Sequence, residues 1–217
     1  MIVDFTLPEV SVPTSAMSDY WLRYFFVGSP SQNRQVNALA STYMRLVEAA
    51  IVEYGLGSEA LRQVWADQSL LGLRAMHRSI SHFESCLSDM HRAIAAYRRL
   101  RNHPDRDPLS LYLTDVKPAF ISDKIAFQVR NMRDAVHHSE EMMVNGEAAE
   151  GQPIALKPDG DDVPHPTEVG QTIKTFDRLA IGKHLLKFSD IADWLTEMSV
   201  VAAKVAQFDP RHTAAKL

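Results

Sequence analysis

The chain has 217 residues, of which 46% are hydrophobic and 23% charged, with a formal net charge of −4 and a pI of ≈ 6.1. That length fits one domain with embellishments, and the apolar share suffices for a core. The acidic balance excludes bulk electrostatic binding of nucleic acid, so any such activity must rest on a local site, and the single cysteine, Cys86, excludes an internal disulfide.

Residues 1–12 carry Asp4 and Glu9 but no Lys or Arg, unlike a signal peptide. No apolar run approaches the roughly 18 residues that span a bilayer, so a cytoplasmic protein without membrane contact is expected. Residues 1–30 read as an N-terminal extension. Its first half has no helical period and suits an arm or a strand. Tyr20, Trp21, Tyr24, Phe25 and Phe26 then form an aromatic patch that must pack on the body or on a partner.

Ser31 is placed to cap a helix over about 32–54. Val36, Leu39, Tyr43, Leu46, Val47, Ala50, Ile51 and Tyr54 recur at three and four residues, and Gly55 and Gly57 are read as its stop. Ser58 then caps a short helix to about Asp67, and the longest helix follows to about Asn102. Its seam of Leu73, Met76, Ile80, Phe83, Leu87, Met90, Ile94 and Tyr97 alternates strictly in three and four. A second seam of smaller residues, from Gly72 through Ser79, His82, Cys86 and Ala93 to Ala96, predicts contact on two sides. Pro104, Pro108 and Pro118 mark a loop.

Ser122 and Asp123 start a helix with the core stripe Ile125, Val129, Met132 and Val136, stopped by Asn145-Gly146. Residues 146–171 read as an irregular acidic excursion. Two β-like runs follow, Thr172–Phe176 and Leu179–Phe188, the second folded into a hairpin at Gly182-Lys183. Ser189 and Asp190 cap a last helix with Ile191, Trp194, Leu195, Met198, Val201, Val205 and Phe208 on its buried face. The expected architecture is mainly α, a four-to-five-helix bundle with a small C-terminal β hairpin. Residues 31–208 form the domain, 146–188 its loop and hairpin insertion, and 209–217 a disordered tail.

The helix from Ser122 carries Arg130, Asn131, Arg133, Asp134, His137 and His138. Arg is a permanent cation suited to phosphate, and His exchanges protons near neutral pH. Five residues separate Arg133 from His138, about 7–8 Å of rise and roughly 140° of rotation. The two cannot meet on one helix, so a composite site formed by two copies is expected. The other register, Arg130-Asn131 with His137, puts its Arg and His along one stripe with Arg133. Basic residues at Arg92, Arg98, Arg99 and Arg101 fit either a phosphate track or a solvated helix end favoured by the dipole. His82 and Cys86, at i and i+4, lack the two further ligands that a metal site needs. No metal or other cofactor is expected.

The pattern Arg133-Asp134, three residues, His138, with Met132 and Val136 apolar, resembles the signature of HEPN domains. The layout of long helices, the motif on a late helix, then a short β element and a terminal helix, is similar too, over about residues 32–208. The resemblance implies a metal-independent endoribonuclease acting as a homodimer on RNA. Its His moves the 2′-OH proton or protonates the leaving oxygen, and its Arg stabilises phosphate charge. It also implies a place in toxin–antitoxin or antiphage defence, with an antitoxin or regulatory protein as partner. Read onto this chain, Arg133, His138 and Asp134 are the catalytic candidates, with Arg130, Asn131 and His137 as second choices. Some members have lost catalysis and only bind, so a helical interaction module with this fold is the rival reading. Nucleotidyltransferase-paired members often carry Tyr two residues after the His; here Glu140 stands there.

Overall fold

The computed structural model describes residues 2–13, 16–66, 72–105, 107–147 and 153–209. In chain order these form β1 (Ile2–Phe5), α1 (Ala16–Phe26), α2 (Arg34–Ala66), α3 (Gly72–Arg101) and α4 (Pro108–Thr114). A 3-10 turn, Ala119–Ile121, leads into α5 (Asp123–His137) and α6 (Ser139–Val144). Strands β2 (Lys157–Asp159), β3 (Asp162–Pro164), β4 (Thr172–Phe176), β5 (Arg178–Ile181) and β6 (His184–Lys187) precede the terminal helix α7 (Phe188–Gln207). The protein is mainly α with a small C-terminal sheet region, as expected. The tail from Pro210 lies outside the described residues.

Helices α2 and α3 form an antiparallel pair, because contacts climb one helix as they descend the other. Tyr43 meets Tyr97 at 5.2 Å between ring centroids, and Tyr54 meets Phe83 at 6.1 Å. His82 Nδ1 lies 2.7 Å from Glu53 Oε2, and the Ser79 hydroxyl donates to Gly57 O at 2.9 Å. Both seams of α3 are buried through most of its length, and Cys86 is 1% exposed, its thiol pushed up by burial. Helix α7 closes the core. Tyr43 donates to Met198 O at 2.9 Å, and Arg23 of α1 donates to Ala206 O at 2.8 Å. Glu197 accepts from the backbone N–H groups of Ala119 and Phe120, fixing the 3-10 turn ahead of α5.

Several local expectations fail for identifiable reasons. Gly55 and Gly57 do not stop the first helix; α2 runs on to Ala66 and absorbs the short helix expected from Ser58. A Cβ at Gly57 would meet the Phe83 ring at 3.0–3.2 Å, so this glycine permits close helix packing. The proline-marked loop contains α4, capped by the Asp107 side chain accepting from Leu109 N, with Pro108 in the first turn. The aromatic patch is itself helix α1, with Tyr20 buried and Phe25 and Phe26 exposed. Helix α7 begins at Phe188, and neither Ser189 nor Asp190 is its N-cap; Lys187 holds that position without a side-chain bond.

The β region also exceeds the expected hairpin. The hairpin β5–β6 turns at Gly182-Lys183, Gly182 taking φ +53, and β2 pairs with β5 to make one three-stranded sheet. The second sheet has the order β1-β4-β3, with β1 parallel to β4 and Ile2 opposite Ile173. Strands β2 and β3 lie inside the stretch expected to be irregular.

Candidate functional site

Ser122 caps α5 as the sequence implies, its hydroxyl accepting from Ile125 N at 3.4 Å. Val129 and Met132 are buried and Ile125 and Val136 half-buried, so the core stripe sits inward. The helix expected to run to Asn145 breaks at His138, whose φ of −101 and ψ of 7 leave the helical region. Ser139 contributes by donating its hydroxyl to Val136 O at 2.9 Å, a local bond that competes with the helical ladder. Gly146, at φ +67, then ends α6.

The break decides where the imidazole goes. His138 is 61% exposed, and its Nδ1 lies 3.1 Å from Glu141 Oε2. Arg133 is half-buried and donates through Nη1 to Asp134 Oδ1 at 2.8 Å. Its Nε is buried without an acceptor among the described residues. Within one chain Arg133 and His138 have separate partners and no bond to each other. His137 is exposed, and Arg130 stands over the Phe127 ring at 5.1 Å from its centroid. Asn131 faces a different groove, beside Lys183 and His184.

Sequence reasoning left His91 out of the catalytic candidates. Its imidazole, on α3, is half-buried and pushed below its ordinary value by burial first and then by the Arg133 guanidinium. Asp134 pulls it back up, and Arg130 lowers it further. Charges from α5 therefore converge on this side chain. The seam positions Met90 and Ile94 mark its stretch of α3 as helix-facing, but no periodicity says which helix it faces. A folded pKa below the unfolded one means that the unfolded chain binds more protons as pH falls. This contribution to stability is full above about 6.5, the unfolded value, and is lost as pH falls toward the folded value. Urea midpoints should therefore fall less between pH 8 and 5.5 for His91→Gln than for the wild type. Parallel curves would remove His91 from this electrostatic cluster.

The basic residues of α3 divide by their partners. Arg98 donates to Ile121 O and to Asp123 Oδ1, tying α3 to the start of α5. Arg101 donates to Thr114 O at 3.0 Å, tying α3 to α4. Arg92 pairs with Asp89 at 3.4 Å but stays 56% exposed, and Arg99 is exposed. Of these four arginines, Arg92 and Arg99 are the two that lie open to a phosphate. His82 and Cys86 belong to the α2–α3 contact. Among the described residues, no three His, Cys, Asp or Glu side chains cluster as metal ligands would, and no helix is long and apolar enough to cross a membrane.

Comparison of the chain with protein-family models, with curated proteins and with solved structures finds no match in any of the three.

Proposed function

We propose that this protein is a metal-independent endoribonuclease of the HEPN kind, acting in the cytoplasm as a homodimer whose cleft combines α5 and its His138 break from two copies. One observation carries the reading: the helix break presents an exposed imidazole beside the turn that holds an Asp134-oriented guanidinium. Arg133 retains donors for an anion, since Asp134 takes only its Nη1. In the proposed reaction the 2′-OH attacks the phosphorus, the bond to the 5′ oxygen breaks, and a 2′,3′-cyclic phosphate remains. His138 takes the 2′-OH proton or gives one to the departing oxygen, and Arg133 stabilises charge on the phosphoryl oxygens. Asp134 positions Arg133. Glu141 holds the imidazole in the free protein. His137 and Arg130 are the pair of the other register. A protein of this activity calls for a neutralising antitoxin or regulator.

The test is cleavage of labelled RNA in EDTA. Wild type should leave cyclic phosphate ends. His138→Ala should be slower by about 10²–10⁴-fold, the share that acid–base groups usually supply, and Arg133→Ala by about 10²–10³-fold. Toxicity on overexpression should vanish with His138→Ala. A second reading, a non-catalytic interaction module, is favoured by the engagement of His138 with Glu141 and its separation from Arg133 in one chain. Absence of cleavage by folded, dimeric wild type would select it.

A further inference from the structure

Phe127 lies on α5 between two shallow grooves and is 55% exposed. The groove toward α3, about 290 Å³, is bordered by His91, Arg98, Asp123 and Arg130. The groove toward the β hairpin, about 320 Å³, is bordered by Lys124, Gln128, Asn131, Lys183 and His184. Among the described residues bordering these grooves, Asp123 is the sole acid, and Arg98 already engages it at 3.0 Å. Lys124 and Lys183 form no ion pair with any described residue. The chain as a whole is acidic, so this concentration of free cations around one exposed ring is a local departure from its surroundings.

We infer that Phe127 is a base-stacking platform for single-stranded RNA, with Arg130 on one side and Lys124 and Lys183 on the other holding the flanking phosphates. This inference rests on the proposed nuclease reading and adds the path by which the strand reaches the site. An aromatic ring between cations is the chemistry that binds single strands without reading their sequence. A duplex keeps its bases stacked on each other and offers none to the ring. Arg130 already stands over the ring, so a base on the open side would complete a guanidinium–ring–base stack. Phe127 and Arg133 are six positions apart on α5, about 9 Å of rise and roughly 120° of rotation, and the groove toward α3 leads from one to the other, since His91 borders it and lies under the Arg133 charge. The more exposed rings of α1, Phe25 and Phe26, lack this setting, because the nearby Arg23 is spent on Ala206 O.

The test uses fluorescence anisotropy with labelled single-stranded oligouridine and with an RNA duplex of equal length, on the full chain carrying His138→Ala so that no cleavage intervenes. The single strand should bind more tightly than the duplex. Phe127→Ala and Phe127→Leu should each weaken single-strand binding by about 5- to 150-fold, the equivalent of ~1–3 kcal/mol per stacked base, while Phe127→Trp should retain it. Lys124→Ala should lower the salt slope by about 0.7, as expected for one lost phosphate contact to a single strand. No single-strand binding, full affinity in Phe127→Leu, or preference for the duplex would each overturn the inference. Conversion of a dimer to monomers by Phe127→Ala, read by sedimentation, would overturn it too, by placing the ring between protein copies. Phe127-dependent binding by a wild type that cleaves nothing would uphold this surface and end the nuclease reading. Cleavage kinetics untouched by Phe127→Leu would do the reverse.

Discussion

Phe83→Ala is expected to lower the unfolding free energy by about 3–5 kcal/mol, the range for deleting a fully buried large aromatic side chain. Phe83 is 0% exposed and joins three helices. Its ring lies 6.1 Å from Tyr54 of α2 and 5.1 Å from Phe188 of α7, and it packs against Gly57. Collapse into the vacated space is hindered, because the Ser79–Gly57 and His82–Glu53 bonds hold α2 and α3 at fixed separation beside it. At this chain length such a loss corresponds to a fall in melting temperature of about 6–20 °C. Phe83→Leu, which keeps part of the apolar volume, should lose less. Urea unfolding of the two variants checks this, and equal, small losses would mean that the α2–α3 pair relaxes into the gap.

Gly160→Ala is expected to cost about 3 kcal/mol or more and to open the β1-β4-β3 sheet ahead of the helical core. A Cβ at Gly160 would fall 1.3 Å from Thr175 O and 2.4 Å from Thr175 C. The obstacle is backbone, so no rotamer change relieves it. Strand β4 cannot retreat either, being paired with β1 on one edge and β3 on the other. The Lys174 ammonium donating to Gly160 O and the Asp161 O···H–N Thr175 bond clamp the same point. Hydrogen exchange should quicken over 162–164 and 172–176 while α7 keeps its protection. Gly170→Ala is the contrast: φ is +85 there but the surroundings are open, so strain alone, about 1–2 kcal/mol, should appear. An effect at Gly160 no larger than at Gly170 would mean that the approach to the Thr175 carbonyl relaxes at little cost, since Gly160 has no positive φ.

The candidate site was legible where its signals are local. Ser122 marked the start of α5, and the Val129–Met132 stripe fixed which face of that helix turns inward. Hence Arg130, Arg133, Asp134, His137 and His138 are placed off the core stripe by the helical repeat alone. The break at His138 was not legible, because Ser139 can either continue a helix or bond back to Val136 O, and composition does not choose. The same holds for cations. Arg98 and Arg99 are neighbours of one type, yet Arg98 is consumed by Ile121 O and Asp123 while Arg99 stays exposed.

Short-range patterning sets both seams of α3, the buried face of α7, the hairpin at Gly182 and which residues α5 carries. These follow from the 3.6-residue repeat and from turn chemistry, which act over a few residues. The tertiary structure alone decided that α2 passes through Gly57, that β1 pairs with β4 across most of the chain, and that His91 lies under the charges of Arg133 and Arg130. Each of these is a contact between segments distant in sequence, fixed by close packing and by the need to pair backbone groups, and a local pattern carries no record of its distant partner.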